Sequence, residues 1–207
     1  MPTTLNLSLP LSAHFTLKEM LKSSTAERDE ALKREQENPP DDVVTSLQHL
    51  VRVALEPIRI GIGAPMQITS GYRCVVVNKL IGGSGTSQHC RGEAADCELS
   101  PSFLTDPAAM LSRESIRDAV QRRTGRLLRP DVDQNFYLFA YICLNLDALD
   151  VDQVIHEYGD ALGRPAWVHV SASRRLDKRE ILFIGSYTNK QYVSATVDEA
   201  LTRCCMP

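Results

Sequence analysis

An excess of positive charge is missing from this chain. Its 207 residues carry 23 lysines and arginines against 26 aspartates and glutamates, a net charge of −3. It therefore lacks the electropositive footprint that nucleic acid or an anionic lipid surface requires. Long hydrophobic runs are lacking too, since none approaches the roughly 20 residues of a membrane-spanning helix. The opening stretch MPTTLNLSLPLSAHF has no basic residue before Lys18 and is interrupted by Pro10, which makes a poor Sec signal peptide. No CxxC pair occurs, which argues against a thiolate zinc cluster. Cys74, Cys90, Cys97, Cys143, Cys204 and Cys205 are scattered through a chain long enough to fold without staples, so reduced thiols are expected. Internal repeats and low-complexity blocks are also lacking. The expectation is a monomer, synthesised in the cytoplasm, that engages neither nucleic acid nor membrane.

What is present is a globular composition, 43% hydrophobic and 24% charged, which excludes wholesale disorder and suits one domain over 1–207. Thr16 followed by Glu19 has capping-box form. The charged stretch 23–42, with no large apolar residue after Leu32 and Pro39-Pro40 near its end, reads as a solvated helix end running into a loop. Val44, Leu47, Leu50, Val51, Ala54, Leu55 and Ile58 recur at helical spacing behind Asp41 or Asp42 as cap. The period then changes: 66–70 alternates as a strand stopped at Gly71, 73–80 is helical up to Gly82-Gly83, and 93–99 alternates again. Residues 100–132 are polar and read as an elaboration outside the core, an insertion over 100–134 with a surface helix starting near Ser112. Phe136, Phe139, Ala140, Cys143 and Leu146 mark a buried helix. Strands are predicted over 151–157, 167–172 and 180–187, with a further one over 192–196. Helices first and strands clustered late predict an α+β fold, helices packed on a mainly antiparallel sheet.

The chemistry concentrates in Ser87-Gln-His89-Cys-Arg-Gly92-Glu-Ala94-Ala-Asp96. On the strand, Ala94, Asp96 and Glu98 share one face while Ala95, Cys97 and Leu99 share the other. His89 stands just before it, and Gly92 allows a sharp turn between them, so one imidazole and one carboxylate can face a common point. Downstream, Trp167-Val-His169-Val-Ser171 alternates with its valines towards the core, which throws His169 onto the open face. Two histidines and an aspartate with a free fourth position are the donor set of a catalytic zinc site.

Ser87 to Asp96 fits SxHxxGxAxD at every fixed position, and in this the chain resembles the zinc D-Ala-D-Ala carboxypeptidase family of peptidoglycan peptidases. The WVHVS strand resembles that family's third-ligand strand. Phe15-Thr-Leu-Lys-Glu-Met-Leu with Ser23-Ser-Thr-Ala, Ser70-Gly-Tyr-Arg73 with Asn78, and Asp152-Gln-Val-Ile-His-Glu157 resemble further pieces in the right order. The resemblance runs from Phe15 to Ser171 and implies a fold like that of the hedgehog domain and the DD-peptidases. It implies that His89, Asp96 and His169 hold Zn²⁺, with water in the open position. It further implies that Arg73 faces the substrate or the developing oxyanion, that Ser87 lies near the substrate, and that the substrate is a peptidoglycan stem peptide.

One position departs from that pattern. Many relatives carry an acid or histidine three residues before the last ligand, where this chain has Ala166. Glu157 is the replacement expected as general base, on a strand face shared with Val151, Gln153 and Ile155; His156 is the next candidate, though alternation points it the other way, and Glu93 and Glu98 are weaker options. Cys90 and Cys97 adjoin ligands but are read as non-ligands. Because Ala166 is not an acid, a non-catalytic zinc-binding module stays open, as does a cytoplasmic D,D-dipeptidase. Without an export signal, an enzyme of this kind would reach the wall by phage-type lysis or a non-Sec route, as an endolysin does.

Overall fold

The computed structural model describes residues 6–175, 178–185 and 191–206. Six strands form one sheet: β1 Met66–Ser70, β2 Ala94–Leu99, β3 Gln153–Glu157, β4 Trp167–Ser171, β5 Glu180–Ile184 and β6 Tyr192–Ala195. Their order is β1-β2-β4-β3-β5-β6, and only the β3–β5 pairing is parallel. With the helices packed on it, this is the α+β architecture expected from the order of the patterns. The expected third late strand stops at Ile184, and residues 186 and 187 lie outside the described residues.

Alternation sorts the sheet into two faces. Ala95 and Cys97 of β2, Val154 of β3 and Val168 and Val170 of β4 are buried towards α7, Gln134–Leu144. Phe136, Phe139, Ala140 and Cys143 of that helix are likewise buried, and Asp133 caps it by accepting from Phe136 N–H. The opposite face of the same strands carries Asp96, Glu157 and His169. The core face therefore fixes the orientation of the polar face, because a one-residue slip would exchange them.

The N-terminal helices line up as expected, with local differences. Thr16 and Glu19 form both bonds of a capping box ahead of α1, Leu17–Leu21. In α3, Asp41–Leu50, the cap position is Pro40, and the two aspartates sit in the first turn, where carboxylates favour the helix dipole. Val43 rather than Val44 joins Leu47 and Leu50 in the core. The helix then passes through a wider turn, Val51–Leu55, into α4, Glu56–Ile62.

Two stretches fold differently from the sequence expectation. The charged segment 23–42 contains a helix of its own, α2 (Glu30–Gln36), anchored by the buried Gln36. Its amide donates to the carbonyls of Leu21 at 3.0 Å and Tyr72 at 2.6 Å and accepts from Cys74 N–H at 2.8 Å. A polar residue held by backbone groups has no apolar signature, so periodicity passes over it. Gln36→Leu keeps the volume but strips three buried backbone groups of their partner. It should lower stability by at least about 2 kcal/mol in denaturant unfolding; an unchanged midpoint would contradict this. The polar stretch 100–132 is not outside the core. Its helix α6 begins at Met110 and runs to Thr124, and Phe103, Ile116, Val120, Leu128 and Val132 join the common cluster. Those few apolar positions are diluted among charges, which hides them from a running average.

All six cysteines are free. Among the described residues no helix is long and apolar enough to cross a membrane.

Candidate metal centre

The antiparallel β2–β4 register sets Asp96 directly opposite His169, so a carboxylate and an imidazole rise side by side from the polar face. His89 comes from the tight turn Gln88–Arg91, which ends at Gly92 with φ of 68°. A Cβ at Gly92 would lie 2.7 Å from the Val43 carbonyl oxygen and 3.1 Å from Leu47 Cγ. Both the left-handed backbone and the packing on α3 therefore demand glycine there. Gly92→Ala should destabilise the fold by at least about 1 kcal/mol and weaken metal binding in parallel, because His89 moves with the turn; calorimetry of metal-free and metal-loaded protein would test both. The His89 ring is aimed by Nδ1–H donating to the Gly71 carbonyl at 2.7 Å, which leaves the Nε2 lone pair facing the centre. Gly71 itself sits where any Cβ would strike the Met20 carbonyl, 2.3 Å away.

Three donor atoms converge. His89 Nε2 is 3.2 Å from His169 Nδ1, and Asp96 Oδ1 is 3.0 Å from His169 Nδ1 and 3.3 Å from His89 Nε2. Donors placed tetrahedrally around zinc at about 2.0–2.1 Å are spaced about 3.3 Å apart, so the triangle fits that ion. All three residues are buried, and they form a potential metal-ion group among the described residues. Their ionisation suits the task. Burial holds the His89 imidazole below its ordinary range, hence neutral. Burial alone would raise the Asp96 carboxyl, but the His89 and His169 imidazoles outweigh it and hold that group well below the usual carboxylate range.

The other expected site residues divide. Glu157 stands on the polar face as alternation predicts, opposite Trp167 in the β3–β4 register, with Oε1 3.8 Å from His169 Nδ1. Burial, then the Asp96 charge, push its carboxyl up to about 7. Arg73 does not face the cleft alone, because Nη2 bonds Asp96 Oδ2 at 3.2 Å. Its Nε is buried without a hydrogen-bond partner, and the side chain still lines the cleft, as does Ser87. His156 points the other way, bonding the Gly163 carbonyl at 2.7 Å and packing edge-on against Phe139. Glu93 is paired with Arg91 at 2.6 Å, and Glu98 lies opposite Gln67 of β1. Cys97 is on the core face, its thiol pushed up by burial, and Cys90 is not among the converging donors. The centre opens into a cleft of about 480 Å³. Besides Gln36 and Gly71, which support the site from behind, sequence reasoning missed Tyr158 and Tyr192 on the cleft wall. Alternation marks the face of Tyr192, but strand order decides that this face meets the centre; Tyr158 follows the end of β3 with φ of 49°, where alternation no longer holds.

The raised Glu157 pKa has a measurable sign. Its folded value lies above the ordinary 4.5, so its stabilising contribution is complete below that value and is lost as pH rises through about 7. Metal-free Glu157→Gln should therefore gain on metal-free wild type between pH 5 and 8, by up to about 3 kcal/mol. Guanidinium unfolding in the presence of a chelator would show it; a gain in the opposite direction would refute the assigned environment.

Two imidazoles and one carboxylate at the foot of a cleft, with a further carboxylate beside them, are the makings of a metallohydrolase centre. The Peptidase M15 family model matches residues 13–126, more than half of the chain, and the chain belongs to that family. It is therefore a metallopeptidase of a zinc-dependent kind, in agreement with its His-Asp-His donor set. The match includes His89 and Asp96 and ends before Glu157 and His169. No curated protein matches the chain.

Proposed function

We propose that this metallopeptidase cuts a peptide bond in bacterial cell-wall stem peptides, with His89, Asp96 and His169 as zinc ligands and Glu157 as general base. The observation that supports this most is the Glu157 carboxylate, partly buried beside the three-donor centre and shifted towards neutrality, on the strand that pairs with β4, before which Ala166 leaves no acid. Zinc in such a centre supplies Lewis-acid chemistry, lowering the pKa of a coordinated water towards ~7 and polarising a carbonyl.

The chain's own groups supply the rest. With a pKa near neutrality, Glu157 can accept a proton from the attacking water at Oε1 and return it to the leaving amine. Arg73 locks the Asp96 carboxylate through Oδ2, and its guanidinium lines the cleft where a substrate oxygen would lie. Ser87 borders the same cleft as a further polar contact. The stem-peptide substrate is what the SxHxxGxAxD and WVHVS resemblance implies.

Incubating zinc-loaded protein with purified peptidoglycan and weighing the released fragments by mass spectrometry tests this. Metal-dependent release of peptide fragments is expected, and their masses identify the bond. Zinc bound without turnover would favour a structural module, and cleavage confined to free dipeptide would favour a D,D-dipeptidase.

A further inference from the structure

The sheet carries its polar face past Glu157 to the far edge. Glu157 of β3 pairs with Ile184 of β5, and Ile184 pairs with Tyr192 of β6. Paired residues put their side chains on the same face, so Tyr192 stands on the metal-centre face two strands from Glu157. Two strand spacings separate their backbones by about 10 Å. Ile184 is buried between them, and Leu182, two residues back along β5, lines the cleft. Side chains stand roughly perpendicular to a sheet, so Glu157 and Tyr192 form facing walls over an apolar floor, a slot about one peptide chain wide. Tyr192 lines the cleft together with Glu157, His169 and Arg73, and the residue is 54% exposed, open to an incoming chain.

We propose that Tyr192 is a substrate-binding residue, its phenol O–H donating to a main-chain carbonyl of the stem peptide in the slot beside Glu157. This rests on the stem-peptide reading above. Tyr192 lies beyond the region matched by the family model, and its hydroxyl has no hydrogen-bond partner among the described residues. Burial, with the Glu157 and Asp96 carboxylates adding to it, raises the phenol above its ordinary range, so at neutral pH it keeps its proton and acts as a donor. Peptide carbonyls are the acceptors that every residue of a bound chain presents. The aromatic ring adds apolar contact for the same chain.

Zinc-loaded wild type and Tyr192→Phe are compared on a synthetic stem pentapeptide ending in D-Ala-D-Ala. The lost hydrogen bond should raise KM by about 3–10-fold with kcat within about twofold. Tyr192→Ala, which removes the ring as well, should raise KM further. Calorimetric binding of the same peptide to the zinc-loaded Glu157→Gln protein, with and without Tyr192→Phe, should show the same loss of affinity without turnover. Zinc content and the unfolding midpoint should not change. Equal KM and equal affinity for Tyr192→Phe would overturn the contact, as would a drop confined to kcat. Wild-type protein that neither binds nor cuts the pentapeptide would overturn the substrate reading and this contact together.

Discussion

Glu157→Gln is expected to lower turnover of cell-wall substrate by at least about 10²-fold while zinc content and fold are retained, since a general base contributes about 10²–10⁴-fold to rate and need not hold the metal. The glutamine keeps the size and hydrogen-bonding reach of the side chain beside His169 and removes only the proton acceptor. The control is the preceding residue. His156→Ala should cost far less turnover, because that imidazole is committed to the Gly163 carbonyl and packed against Phe139 on the core face. It should cost stability instead, as a cavity beside Phe139 and Phe183 would. Full activity in Glu157→Gln would move the proton acceptor elsewhere, and the geometry leaves Glu93 and Glu98 poorly placed to supply it.

Loss of a ligand should be felt first in the metal. Purified protein should hold about one zinc per chain, and His89→Ala, Asp96→Ala and His169→Ala should each weaken zinc binding by at least about 10²-fold, beyond the 10–100-fold typical of residues that only orient a ligand. Binding should also weaken as the solution is made acidic, because the ligands must be deprotonated. Metal analysis after dialysis against a chelator would check both; full zinc retention in all three variants would refute the site. Arg73→Ala serves as the comparison within this set. It removes the partner of Asp96 Oδ2 and leaves all three donors, so its effect on zinc should stay within the smaller range.

Much of this centre is legible in the sequence because strand alternation is a local rule. A period of two puts Asp96 opposite in sense to Cys97 and turns His169 away from Val168 and Val170. The same rule separates Glu157 from His156, and the helical period picks out Leu47, Leu50 and Phe139 as core. Glycines spell out the turn that delivers His89, since the backbone at Gly92 needs a positive φ. Gln36 escapes such rules because its three partners belong to segments distant in sequence.

By itself, then, the sequence determines which side chains share a face, where the His89 turn falls, and that two imidazoles and a carboxylate are available to one metal. Only the tertiary structure decides which faces adjoin. The order β1-β2-β4-β3-β5-β6 places β4 between β2 and β3, which brings Glu157 to His169. The parallel β3–β5 pairing then carries the polar face on to Tyr192. The β2–β4 pairing joins strands separated by a long stretch of chain, and it is selected by burial of the opposite face against α7. Local periodicity holds no record of that choice, because the backbone hydrogen bonds that make a sheet are the same whichever strand supplies them.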